Sequence, residues 1–205
     1  MDWLQIFTLV TGVLYMILEI RQKNFMWVVG IATSLAAMWV FFRQGLYASF
    51  GLNTYYFITA FIGLWHWRRD KKMLVSDAET VGGEEDVIVL HKLSWKSVII
   101  GAIICVLGTF SLSVGMSLLH EAGILGENPM SLLDSAVTAL SVVATWWLVR
   151  SYLEQWWLWI VADLMSTILC AMQGMWWMAL LYLLYAASAV YGLRYWKMRG
   201  TYLFD

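Results

Sequence analysis

Charge is what this sequence has least of: 13% of its 205 residues are Asp, Glu, Lys or Arg, against 61% hydrophobic residues. A water-soluble domain carries about 25% charged and about 45–50% apolar residues. A core cannot absorb that surplus, so apolar surface must face lipid. The formal net charge of −1 leaves no global field that would draw nucleic acid. Cysteine is nearly absent. Cys105 and Cys170 both fall inside apolar runs and read as small buried residues rather than as a disulfide or a metal site. The one proline, Pro129, falls between two apolar runs. Met1–Asp2 offers no basic stretch and no cleavage-type motif follows the first apolar run, so no signal peptide is expected. Catalytic constellations are missing too: there is no G-x-S-x-G, H-E-x-x-H, P-loop or C-x-x-C, and His66, His91 and His120 stand singly at run ends or in loops. No catalytic residue, metal site or cofactor is expected, and no enzyme.

What the chain has is apolar length. Seven runs can cover the roughly 17–25 helical residues that a bilayer core requires: about Trp3–Ile20, Phe25–Phe42, Leu46–Trp67, Ser97–Leu119, Leu132–Val149, Trp156–Gln173 and Met175–Trp196. In lipid each backbone amide needs a partner within its own segment, so these runs should be helices. Arg21, Lys23, Arg68, Arg69, Lys71, Lys72, Lys92, Lys96, Arg150, Arg194, Lys197 and Arg199 flank them on one side, and only Arg43 on the other. Twelve against one marks the first side as cytoplasmic. With seven spans the N-terminus is then outside and the C-terminus in the cytoplasm. The Arg68–Lys96 loop has a polar middle (Asp77, Glu79, Gly82 to Asp86) and is expected to be a linker; Val87–Leu90 reads as a short strand or as an extension of the fourth helix.

The chain repeats itself at an offset of 129. Gln44, Gly45, Leu52, Tyr56, Ala60, Gly63, Leu64 and Trp67 fall on Gln173, Gly174, Leu181, Tyr185, Ala189, Gly192, Leu193 and Trp196. The same offset puts Arg21 on Arg150, Trp27 on Trp156 and Ile31 on Ile160. Helices 1–3 therefore correspond to helices 5–7, with helix 4 between them. Because helix 4 inverts the chain once, the triplets run parallel, one known plan for transporters. The expected architecture is an all-α membrane protein in a 3+1+3 parallel-repeat arrangement. Residues 1–67 form the first bundle and 68–96 a cytoplasmic linker; 97–130 form the central helix with an outer loop, and 131–205 the second bundle with a cytoplasmic tail. Gly101, Gly108 and Gly115, seven apart on helix 4, should allow close helix packing.

Buried charge is the most informative signal in such a chain. Asp163 is the one ionisable residue well inside a span, where a carboxylate costs at least a few kcal/mol and needs a polar interior and a partner. Glu19, by contrast, lies near a span end beside Arg21 and is expected to reach water. Trp156, Trp159 and Asp163 stand at i, i+3 and i+7, on one helix face. Two indoles beside a carboxylate suit a flat cationic ring, although tryptophans at a helix start also suit the membrane interface. Asn53 is the other polar side chain deep in a span, and the offset sets Tyr182 opposite it. With Tyr56 these are the further candidate lining residues, and an interhelical hydrogen bond is the equally simple role for Asn53.

These residues resemble the Pnu family of vitamin transporters, whose sixth helix carries W-x-x-W-x-x-x-N. Here that motif stands as Trp156, Trp159 and Asp163. The third-helix entry Gln44-Gly45-Leu46-Tyr47-Ala48 and exit Gly63-Leu64-Trp65-His66-Trp67 are also similar, and the resemblance spans Val10 to Trp196. It implies a SWEET-like helix plan, members that can form homotrimers, and facilitated diffusion of an unphosphorylated vitamin that a cytoplasmic kinase then traps. It also implies the bacterial cytoplasmic (inner) membrane as the location. The departure is Asp163 in place of Asn. An amide donates and accepts, whereas an ionised carboxylate only accepts. The expected substrate is a small cationic vitamin, nicotinamide riboside first and thiamine close behind. A neutral sugar would not call for the carboxylate, nor would a sensor or scaffold.

Overall fold

A computed structural model describes residues 3–43, 47–78, 87–124 and 130–203. The Gln44-Gly45-Leu46 part of the entry motif, residues 79–86 of the long loop and Pro129 lie outside the described residues. Within them stand seven helices, α1 (Trp3–Ile20), α2 (Phe25–Arg43), α3 (Tyr47–Ala78), α4 (Trp95–Glu121), α5 (Ser131–Val149), α6 (Gln155–Met172) and α7 (Trp176–Arg199), and two short strands, β1 (Ile88–Leu90) and β2 (Gly200–Tyr202). Among the described residues α4, α5, α6 and α7 are long and apolar enough to cross a membrane, and Phe25–Trp39 is a shorter apolar stretch.

The offset of 129 reappears in the backbone. α1 and α5 end at Ile20 and Val149, α2 and α6 end at Arg43 and Met172, and α3 and α7 begin at Tyr47 and Trp176. The turns after α1 and α5 each hold a non-glycine residue in the left-handed region, Gln22 (φ 48°) and Ser151 (φ 53°), again 129 apart. A conformation that L side chains avoid recurs at matched positions, which ties the sequence repeat to a repeated chain path.

The chain divides into two compact units. The first comprises residues 1–91, 148–153 and 194–205. In it the repeats meet reciprocally: the Trp67 indole donates to the Leu148 carbonyl (3.2 Å), and the Trp196 indole donates to the Ile20 carbonyl (2.9 Å). A helix leaves its last carbonyls without intrahelical donors. Here each repeat's terminal tryptophan serves the first helix of the other repeat, and the two rings lie edge to face, 6.3 Å apart.

Beside them Gln22, fully buried, donates through Nε2 to the Val89 carbonyl (2.9 Å) and to Ser151 Oγ (3.1 Å), and its Oε1 accepts from the Val89 amide (2.7 Å). Lys71, 1% exposed, donates to the Gln22 carbonyl, and His91 Nε2 stands 2.9 Å from Asp70 Oδ2. These bonds explain a correction. The segment after Trp67, expected to be a linker, continues α3 to Ala78 because its good helix formers also find buried partners at Asp70 and Lys71. β1 then pairs in parallel with β2, Leu90 opposite Tyr202, so the short-strand alternative for Val87–Leu90 holds and α4 starts separately at Trp95. Glu19 is corrected too: it is 8% exposed and lies within electrostatic reach of Tyr15 rather than in water.

The second unit comprises residues 92–147 and 154–193. Its α4 lies against α5 through the glycine stripe. A Cβ on Gly101 would stand 3.1 Å from both Trp147 and Val143, and one on Gly108 would stand 3.4 Å from Ala139; Gly115 has open space around it. The remaining α4 surface is apolar and exposed, including Ile100, Leu107 and Phe110, as a lipid-facing helix requires.

Candidate functional site

The α6 helix sorts its side chains by face. Trp157, Val161, Leu164, Ile168 and Met172 are exposed, while Gln155, Trp156, Ala162, Asp163, Ser166 and Cys170 are buried. At 100° per residue the buried set spans one arc with half-buried Trp159 at its centre. An apolar helix face needs no polar atoms, yet this one carries a glutamine, an indole N–H and a carboxylate.

Asp163 is 9% exposed. Its backbone carbonyl accepts from the Thr167 hydroxyl (2.8 Å), but among the described residues no hydrogen bond or ion pair reaches its carboxylate. Tyr182 and Tyr185, on α7, lie within electrostatic reach of it, and their rings meet edge to face at 6.2 Å. The second unit thus brings Asp163, Trp159 and Tyr182 into one neighbourhood. Asn53 and Tyr56 stand half-buried on α3 in the first unit, one helical turn apart, where Tyr56 neighbours Tyr55 at 5.7 Å. A separate open hollow of about 840 Å³ is lined, among the described residues, by apolar side chains such as Ala36, Trp39, Phe42 and Phe50, and none of the candidate residues is among them.

Trp156 and Trp159 differ in surroundings. Trp156 is 2% exposed, and a Cβ on Gly192 would stand 2.5 Å from its ring. In the first unit Trp27, also 2% exposed, covers Gly63 in the same way. Trp27 with Gly63 and Trp156 with Gly192 are repeat mates, so this contact is common to both halves. The other members of the α6 face are not shared: Gln155, Trp159 and Asp163 correspond to Met26, Gly30 and Ser34. The Trp–Gly packing is common to both repeats, whereas Gln155, Trp159 and Asp163 are carried by the second repeat alone. Gln155 did not stand out in the sequence, since a lone glutamine at a helix start resembles a cap; the offset comparison with Met26 sets it apart.

The family of nicotinamide mononucleotide transporters matches residues 2–198. The chain is 26% identical to the nicotinamide riboside transporter PnuC of Escherichia coli, over 96% of this chain and 85% of that one. It is equally 26% identical to PnuC of Neisseria mucosa, over 95% of this chain and 72% of its relative. A crystal structure of the vitamin B3 transporter PnuC superposes with a TM-score of 0.63 at 26% identity, covering 93% of this chain and 78% of that one. Together with the apolar helices, this makes the chain a multi-pass membrane protein that belongs to the nicotinamide mononucleotide transporter family, in its PnuC-like group.

Proposed function

We propose that the chain takes up an unphosphorylated, cationic vitamin across the bacterial cytoplasmic membrane by facilitated diffusion, with nicotinamide riboside as the first candidate and thiamine as the second. Cytoplasmic phosphorylation then traps the substrate. The observation that carries this reading is the Asp163 carboxylate, held on a helix face with Trp159 and given no cation or hydrogen-bond donor among the described residues. A charge in a span is too costly to serve packing alone, and a bound cationic ring supplies both the counter-charge and a surface for the indole. The names of the relatives point the same way. The seven helices are proposed to form the 3+1+3 parallel-repeat, SWEET-like plan, with Asn53 and Tyr56 lining the path from the first repeat and Tyr182 from the second.

The test is calorimetric titration of nicotinamide riboside, thiamine and a neutral sugar into purified protein. One of the two vitamins is expected to bind and the sugar not. Stacking and cation–π contacts contribute roughly 1–2 kcal/mol, so Trp159→Ala should weaken binding about tenfold or more. Trp146→Ala, at an exposed indole on α5, should change it little. Equal effects at the two positions would return Trp159 to an interfacial role.

The orientation belongs to the same proposal, with the N-terminus outside. In a background with Cys105 and Cys170 replaced by alanine, a cysteine at Ala122 should react with an impermeant thiol reagent in whole cells, and one at Met198 should react only after lysis. The reverse pattern would overturn the orientation.

A further inference from the structure

Gln155 is the least explained side chain in the second unit. It is 0% exposed, and neither its amide oxygen nor its amide nitrogen has a hydrogen-bond partner among the described residues. Burying an amide with both ends unmade costs free energy, and nearly all buried polar groups avoid it. The position itself does not demand an amide. Its repeat mate Met26 is equally buried at 0% exposure, so an unbranched apolar side chain of similar length fills the corresponding place in the first repeat. The orphaned Trp159 Nε1 and the unpartnered Asp163 carboxylate follow it at i+4 and i+8, on the same face.

We infer that Gln155 is a specificity-determining residue that binds the hydroxylated end of the substrate, fixing its orientation along α6. This rests on the proposed function above. Spacing of four residues sets about 6 Å of helix between Gln155 and Trp159, and again between Trp159 and Asp163. A cationic ring held at Trp159 and Asp163 carries its sugar through the ring nitrogen, so the sugar hydroxyls reach about one helical pitch, about 5.4 Å, from the ring. With the sugar directed toward the α6 N-terminus, they come within reach of Gln155. A hydroxyl is both donor and acceptor, as is the glutamine amide, so a vicinal diol can satisfy both orphaned atoms together. A bare ring cannot reach them.

Gln155→Met tests this, because it installs the residue the first repeat already uses there. Two probes are titrated, nicotinamide riboside and 1-methylnicotinamide, the same cationic ring without the sugar, and the thermal midpoint of the ligand-free protein is recorded. The expected result is a tenfold or greater loss of affinity for the riboside, unchanged affinity for 1-methylnicotinamide, and a ligand-free midpoint that holds or rises. A falling midpoint with parallel losses for both probes would make Gln155 a structural residue and overturn the inference. An unchanged riboside affinity would overturn it as well. Failure of the riboside to bind the wild-type protein, with thiamine binding instead, would overturn both the nicotinamide riboside assignment and this placement of its sugar, and the thiamine titration tells that case from the others.

Discussion

Trp156→Ala will destabilise the ligand-free protein by about 3 kcal/mol, and Trp27→Ala will do the same. Truncating a buried tryptophan in a soluble core costs about 3–5 kcal/mol, part of it transfer of apolar surface and part the cavity left behind. Lipid is as apolar as the side chain, so the transfer part shrinks in a membrane and lost packing dominates. That argues for the lower end of the range. At Trp156 the loss is large because the indole fills the space over Gly192, where the facing residue has no side chain with which to collapse inward. The same geometry holds for Trp27 over Gly63, so the two variants should be affected alike. Trp157→Ala, at an indole 59% exposed, should shift the midpoint little. Thermal unfolding in detergent of the three variants is the measurement. A Trp156→Ala protein that keeps its midpoint but loses ligand would make Trp156 a wall of the binding site and not a packing residue. Gly63 and Gly192 recur at matched positions where a Cβ would overlap an indole.

Length and apolarity made the helices legible. Their ends at Ile20, Val149 and Met172 fall within a residue or so of where the apolar runs stop, because lipid leaves the backbone no alternative to helix. Beyond Trp67 that constraint no longer applies. Whether Arg68–Ala78 continues as helix depends on partners far along the chain, such as the Gln22 carbonyl that Lys71 reaches, and no local pattern announces them. β1 was legible only as one alternative because its partner β2 lies more than a hundred residues away. The candidate site was legible where its chemistry is unusual for lipid, at Asp163. Trp156 and Trp159 could not be separated by spacing, since both lie on the inward face. Only burial against Gly192 distinguishes the one whose counterpart packs identically in the first repeat. Gln155 escaped notice because a glutamine at a span end has access to water in most membrane helices, and here it has none.

At Asp163 the decisive substitution is to asparagine, which conserves shape, removes the charge and restores the residue of the motif that this chain resembles. The affinity for thiamine is expected to fall by about 1.5–3 kcal/mol, the scale of a hydrogen bond to a charged group, or roughly 10- to 150-fold. Thiamine offers an amino donor and a cationic ring, and both lose their acceptor's charge without gaining anything from the new amide. Nicotinamide riboside is expected to bind Asp163→Asn as tightly as wild type or more so. The pyridinium loses a counter-charge, but its carboxamide carries an acceptor as well as a donor, and only an amide can answer both. The ligand-free protein should become more stable in either case, since among the described residues no donor or cation offsets the cost of the carboxylate in the span. Calorimetric titration of both vitamins into wild type and Asp163→Asn, with the ligand-free midpoints alongside, measures all three quantities. A substitution that changes neither affinity would make Asp163 a structural residue. A riboside affinity that falls as far as thiamine's would show that charge, and not the amide pairing, governs recognition at this position.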